Sequence, residues 1–346
     1  MTPWRTYADP VVLDPVQSAK ERRDAGRALR DERPFAVALA QAESMSVTGI
    51  VVPLVAATPD SFGPVDTGFG AAVLDVLDVD DALPGPWEWD LLLLARGMKG
   101  APAVRALAEG YQAGVAAIAG RPLHAARDEA ADIGGRLARG LRGENASGAE
   151  ALLVASGPRL RPGRVAERWG VPVSAPLGDV TRELAQYRES VSEPVAALLA
   201  HYRVADALAA EDGRLIALLA HGSAPHRDVI LLEATAVGPS PLEPLVGAWR
   251  EGSDIQRVLL ARESLPLVPQ AMQGWSTSPD GSVARVWARA RALPGRAPDL
   301  GGRRRRAASM GTVLGLIHAA GGDANALHGY LGRSRRFGDA LVDAVA

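Results

Sequence analysis

Cysteine is absent from all 346 residues. Disulfides and thiolate metal sites are therefore excluded, and nothing marks an oxidising compartment. Any imidazole chemistry rests on six histidines. No apolar run approaches the roughly 18 to 20 residues of a spanning helix, and the opening MTPWRTYADP lacks a basic stretch followed by an apolar core. A cytoplasmic location without membrane contact is expected, and the Asn145-Ala146-Ser147 sequon then carries no glycan. Strong charge of either sign is also missing. Thirty-eight Lys and Arg face forty Asp and Glu, a net charge of −2, so the overall field does not favour nucleic acid.

What is present is the composition of a globular protein, 47% hydrophobic and 23% charged, long enough for one large or two linked domains. Residues 18–33 predict an exposed helix that ends before Pro34. Gly49 to Ala57 and Ala71 to Leu77 read as strands, the first carrying Pro53 at an edge or bulge. Pro84-Gly85-Pro86 reads as a turn, and Asp90 as the cap of a helix over Leu91 to Met98. Alanine-rich helices are expected over 102–118 and 123–142, a loop over 143–148, and a further helix over 192–202.

The composition then shifts towards short apolar strands at 214–220 and 228–234, joined by a turn-rich connector, followed by a helix over 254–265 and a strand over 283–290. Helices return at 303–320 and 325–346. The expected fold class is α+β. An arm over 1–33 precedes a mainly helical lobe of 34–200 and 300–346, with a small β-rich lobe of 201–299 inserted.

The stretch from Val73 to Leu91 contains the acidic cluster Asp78-Val79-Asp80-Asp81 and then Leu83-Pro84-Gly85-Pro86-Trp87-Glu88-Trp89-Asp90. It resembles the signature of the domain-of-unknown-function 2252 family. Fainter echoes occur in order at Arg33-Pro34-Phe35-Ala36, Leu242-Glu243-Pro244, Gln256-Arg257-Val258, Gly274-Trp275, His318-Ala319, Gly322-Asp323 and Gly329 to Ser334. That family in turn resembles a kinase-type phosphotransferase in rearranged order, which implies a bilobal kinase-like fold. A catalytic loop, a metal-binding Asp motif, and a later Gly-rich turn with a Lys are the parts so implied.

Phosphoryl transfer needs a phosphate cradle, a Lys, metal ligands and a residue that orients the nucleophile. Where the family carries its Gly-Asp-Ala-His loop, this chain has Val55 to Gly63, with Ser61 where an Asn would hold metal. Glu211-Asp212-Gly213-Arg214 replaces the Gly-rich turn, and its acids repel phosphate. Leu232 stands before Glu233-Ala234 where the family has its Lys, and His318-Ala319-Ala320 replaces a late His-Ala-Arg. What survives is Asp78 and Asp80, which match the family's metal-binding positions. The resemblance thus implies a catalytically inactive kinase-like protein of a bacterial family, a binding or regulatory scaffold for an unidentified protein or small molecule. Its catalytic positions are erased, and it has no cofactor beyond weak Mg²⁺ or Mn²⁺ binding.

Two rival readings accompany it. One is a divergent phosphotransferase with Asp78 and Asp80 on Mg²⁺ and Asp60 as base. The other is an interaction module working through Arg303-Arg304-Arg305-Arg306, whose simpler role is a solvated helix start. Trp87 and Trp89 read as anchors of the Pro-rich turn, and His318, within an apolar helical run, as a buried hydrogen-bonded histidine. His221 and His226 flank a turn and read as loop residues. Thr67-Gly68-Phe69-Gly70 and Ala155-Ser156-Gly157 lack the third glycine and the flanking glycines that nucleotide and nucleophile-elbow motifs need.

Overall fold

The computed structural model describes residues 18–41, 48, 50–66, 72–139, 152–153, 159–174, 180–221, 228–246, 252–290 and 302–346. In chain order the elements are α1 (Ala19–Glu32), α2 (Phe35–Gln41), β1 (Val51–Leu54), β2 (Phe62–Asp66), β3 (Ala72–Val76), β4 (Leu83–Pro86), α3 (Trp87–Arg96), α4 (Ala101–Ile118) and α5 (Leu123–Arg139). There follow α6 (Pro162–Trp169), β5 (Val173–Ser174), α7 (Val180–Ser190), α8 (Glu193–Leu199), β6 (Tyr202–Ala210), β7 (Leu215–His221), β8 (Val229–Val237), α9 (Glu243–Val246) and α10 (Asp254–Ser264). The chain closes with β9 (Gly274–Thr277), β10 (Ala284–Arg289), α11 (Arg303–Gly321), α12 (Ala324–Leu331) and α13 (Arg336–Val345). The mixed helix and sheet content is the expected α+β class.

Local chemistry explains most boundaries. Ser18 caps α1 through a reciprocal box with Glu21, and Ser253 does the same for α10 with Gln256. Three local expectations are corrected. Leu83 to Pro86 is a strand rather than a turn, paired antiparallel with β1 from Val51↔Pro86 to Leu54↔Leu83. Three prolines fit here because the ribbon has only two strands, so missing N–H donors need not interrupt a wider ladder. Helix α3 starts at Trp87, three residues before Asp90, which leaves Asp90 inside the helix with its carboxylate free to serve the backbone elsewhere. Tyr202, expected in a helix, opens β6.

Helices α4 and α11 form the centre of the helical part. Gly110 and Gly114 on one face the carbonyl oxygens of Ala308 and Thr312 on the other, and Gly311 and Gly315 face those of Leu107 and Tyr111 in return. A Cβ at any of the four would lie far inside contact distance, so glycine is what permits this backbone approach. Around the pair, Trp87, Tyr111, Tyr330, Phe35 and Phe337 interlock, with Trp87 stacked on Tyr111 at 6.0 Å and Phe35 edge-on to Tyr330 at 5.3 Å. Trp87 is fully buried and Trp89 half-buried, in keeping with anchoring roles.

The second body is a six-stranded antiparallel sheet of order β5-β6-β7-β8-β10-β9. The predicted β7–β8 hairpin is there, in register from Leu215↔Ala234 to Ala220↔Val229. Its two faces bury separate apolar clusters. One gathers Val180, Leu184, Tyr187 and Leu199 from α7 and α8 against Ala217, Leu232 and Trp287. The other gathers Leu152, Leu153, Leu160 and Val165 against Ile216, Leu218 and Leu231. Described residues of α6, α7 and α8 thus contribute to the apolar clusters on the sheet. A buried chain of Arg285, Glu183, Ser276 and Trp287 ties α7 to β9 and β10, with Arg285–Glu183 at 2.7 Å.

Candidate functional site

The acidic cluster sits where β3 leaves its hairpin and turns towards β4, against the inner side of the large sheet. Each acid has a different task. Asp75, fully buried in β3, accepts from the backbone N–H groups of Leu267 at 3.0 Å and Val268 at 3.1 Å, so it fastens the segment after α10 to the hairpin. Asp78 reaches solvent and accepts from the Asp80 N–H at 2.9 Å. Its carboxyl is nevertheless pushed up to about 6, first by the bulk of surrounding protein and then by the Asp80 charge. Asp81 is shifted in the same direction by the same two causes.

Asp80 behaves oppositely. Its burial would raise its pKa, but Arg262 overcomes that through charge and hydrogen bonds, helped by Thr235 and Arg257, and holds the carboxyl below the ordinary range. The Arg262 Nε donates to Asp80 Oδ1 at 2.6 Å, and its Nη2 pairs with Oδ2, making a two-pronged contact. Thr235 Oγ1 donates to Oδ2 at 2.7 Å and itself accepts from Arg262. The guanidinium is 5% exposed. Behind it, Arg257, 1% exposed, donates to the Asp80 carbonyl and to the Gly238 carbonyl at 2.9 Å while pairing with Asp254 at 3.1 Å. Two buried arginines of α10 therefore close the acidic turn onto β8 and its continuation.

The loop before β2 is built around Asp90. Its Oδ2 accepts from the Val55 N–H at 2.6 Å and its Oδ1 from the Ala57 N–H at 3.3 Å, bracketing Ala56, whose φ of 50° lies in the left-handed region. His318, fully buried in α11, donates from Nε2 to Asp90 at 3.2 Å, because a carboxylate can only accept. Its Nδ1 then accepts from the Tyr111 hydroxyl at 2.8 Å. Tyr111 is held well above the usual phenol range by burial and then by Glu88 and Asp90. Every member of this chain is enclosed, so it orders the loop from beneath.

Asp60 stands apart from the acids. Its side chain is 94% exposed, and its nearest cation is Arg306 at 3.9 Å. Ser61 is used in its own turn, where its Oγ accepts from the Thr58 N–H at 3.0 Å. Leu232 is fully buried within the apolar cluster of the sheet. At the β6–β7 turn Gly213 adopts φ 86° and Asp212 pairs with Arg214 at 2.7 Å. Arg303, Arg304 and Arg305 project from the first turn of α11 into solvent, and Arg306 donates to the Pro59 carbonyl at 3.3 Å. Among the described residues no group of three His, Asp or Glu side chains forms a ready metal-binding set. His226, the 143–148 loop and the motifs at 67–70 and 155–157 lie outside the described residues.

Sequence reasoning missed Arg257, Arg262 and Thr235. A signal existed. Arg257, Val258, Ala261, Arg262 and Leu265 occupy one face of α10 at helical spacing, and arginines interleaved with the apolar positions of a buried stripe predict internal ion pairs.

No curated protein and no solved structure matches this chain. No helix among the described residues is long and apolar enough to cross a membrane. A family model does match, over residues 57–346, covering the acidic turn, the Pro-Gly-Pro-Trp-Glu-Trp-Asp segment, the sheet and the final helices. The chain belongs to the family described as an uncharacterized protein conserved in bacteria, domain of unknown function 2252.

Proposed function

We propose that this chain is a kinase-like protein that has given up phosphoryl transfer and serves as a binding or regulatory scaffold. The observation that carries the reading is the Arg262 guanidinium seated on both carboxylate oxygens of Asp80. In a working site those oxygens would face a divalent cation bridging phosphates. Here a fixed organic cation neutralises them.

Other features support the same reading. Protein kinases carry their phosphate-pairing Lys on the third strand of a sheet and its Glu partner on the next helix. In this chain, leaving aside the two-residue β5, β6 and β7 form a hairpin, β8 follows as the third long strand with Leu232, and α10 is the next long helix and bears Arg262. We divide the molecule accordingly into a mainly helical body of residues 34–139 and 303–346 and a sheet body of 152–290. Hydrocarbon replaces the Lys, and the β6–β7 turn offers one glycine, preceded by two acids. The active alternative needs Asp60 as base, and a carboxylate 94% exposed beside an arginine is poorly placed for that task.

The test is a comparison of metal responses. The parent chain should show no thermal stabilisation with Mg²⁺, Mn²⁺ or either ion with ATP, and no phosphate transfer from labelled ATP in a single turnover. Arg262→Met should acquire Mn²⁺-dependent stabilisation through Asp78 and Asp80, lost again on adding Asp80→Asn. Transfer of phosphate by the parent chain, abolished by Asp80→Ala, would overturn the proposal.

A further inference from the structure

The far end of the large sheet, away from the acidic turn, brings together two histidines that the sequence places 20 residues apart. His221 ends β7, directly across from Tyr202 in the β6–β7 register, and His201 immediately precedes Tyr202. The two imidazole rings lie with centroids 6.3 Å apart at an interplanar angle of 83°. Both residues are exposed. Asp228, at the start of β8, meets His221 Nδ1 at 3.0 Å, and the backbone closes the same gap with His221 N–H donating to the Asp228 carbonyl at 3.1 Å. The Tyr202 hydroxyl donates to the other oxygen of Asp228, and its ring packs 5.7 Å from that of His221.

This is a nested set of contacts with a chemical consequence. A carboxylate can only accept, so His221 carries its proton on Nδ1 and keeps a lone pair on Nε2. A histidine fixed in that tautomer by a carboxylate, itself held by a further donor, is the arrangement that prepares an imidazole to bind a metal ion. The ring spacing fits as well. With metal–nitrogen bonds of about 2.0–2.1 Å and a ring nitrogen about 1.1 Å from its centroid, two imidazoles on one ion have centroids roughly 5.2 Å apart at a tetrahedral angle and roughly 6.4 Å apart in line. The observed 6.3 Å lies at the in-line end of that range, and rotation of the two exposed side chains would bring the rings to the tetrahedral spacing this ion class takes.

We propose that His201 and His221, with Asp228 as the orienting carboxylate, form a binding site for a late first-row divalent ion of the Zn²⁺ class. Two imidazoles select that class over Mg²⁺ or Ca²⁺, which take oxygen ligands. The site needs solvent or a group from another molecule to complete the ion's coordination. It does not depend on the scaffold reading and involves none of the residues of the acidic turn.

Calorimetric titration of the full chain with Zn²⁺, and with Mg²⁺ as the hard-ion control, in a non-chelating buffer tests it. The parent chain should bind one equivalent of Zn²⁺ saturably and no Mg²⁺ at this site. His201→Ala and His221→Ala should each weaken Zn²⁺ binding at least about tenfold, and Asp228→Asn by about 10- to 100-fold. The two histidines are exposed and Asp228 is half-buried, and unchanged melting temperatures without metal would show that the variants fold. Three results would each overturn the assignment: no saturable Zn²⁺ binding by the parent chain, full affinity in either histidine variant, or an equal loss in His226→Ala.

Discussion

Glu88 gives the sharpest quantitative expectation. It lies in the first turn of α3, fully buried, with Oε1 accepting from the Thr48 hydroxyl at 2.6 Å. Thr48 is itself occupied by the Trp87 indole N–H at 3.1 Å, and Glu88 Oε2 has no hydrogen-bond partner. Burial, only partly offset by the Thr48 contact, raises the carboxyl from an ordinary 4.5 to about 7. The folded protein therefore holds a proton at Glu88 over a pH window in which the unfolded chain has released it. Stability from this group is fully present below about pH 4.5 and is lost as pH rises through about 7. A shift of this size corresponds to about 3 kcal/mol. Glu88→Gln removes the titration while keeping the shape. The difference in unfolding free energy between the variant and the parent should move by about 3 kcal/mol in the variant's favour between pH 4.5 and pH 8.5. That is roughly 4 °C in Tm for a chain of this size. Urea unfolding at a series of pH values measures it, and a difference that stays flat with pH would refute the claim that Glu88 is buried without a compensating cation.

Arg262→Met leaves Asp80 desolvated and unpaired, which should cost about 3 to 5 kcal/mol, whereas adding Asp80→Asn should recover much of it, as a double-mutant cycle in urea would show. Gly311→Ala places a methyl against the Leu107 carbonyl and forces α4 and α11 apart. A loss of about 1 to 3 kcal/mol is expected, with Gly135→Ala, where nothing lies in the way, as the control in the same melting assay. Ala56→Gly relieves a left-handed backbone and should stabilise the chain by about 1 kcal/mol, and a destabilised variant would count against strain at that position. Asp90→Asn should cost more than a surface substitution, about 1 to 3 kcal/mol, since it disturbs acceptors for two backbone N–H groups and His318 together.

The helices were legible because their signals are local. Serine caps, alanine-rich runs and Pro266 set the ends of α1, α4 and α10 within a residue or two. The strand β4 was not, since Leu-Pro-Gly-Pro carries every mark of a turn and is made a strand only by its pairing with β1, some thirty residues away in the sequence. Asp90 was misread for a related reason. Its type suits a cap, but its partners are the N–H groups of Val55 and Ala57, which no local pattern connects to it. Of the site, the acids were legible and their chemistry was not. Asp78 and Asp80 look equivalent in sequence, yet burial and the neighbouring Asp80 charge push Asp78 up, while Arg262, 182 residues from Asp80, holds Asp80 down.

That divergence bears on why the turn keeps its acids without a cradle for phosphate. A buried carboxylate is costly unless a cation faces it, and removing the acid would strand the buried Arg262 instead. Asp80, Arg262, Thr235 and Arg257 therefore depend on one another, and loss of any one is opposed by the rest whether or not chemistry is ever done there. The set joins the β3–β4 turn to α10 and β8. A guanidinium on a helix cannot leave as a bound ion can, so the turn, the strand and the helix stay joined through buried, mutually satisfied charges.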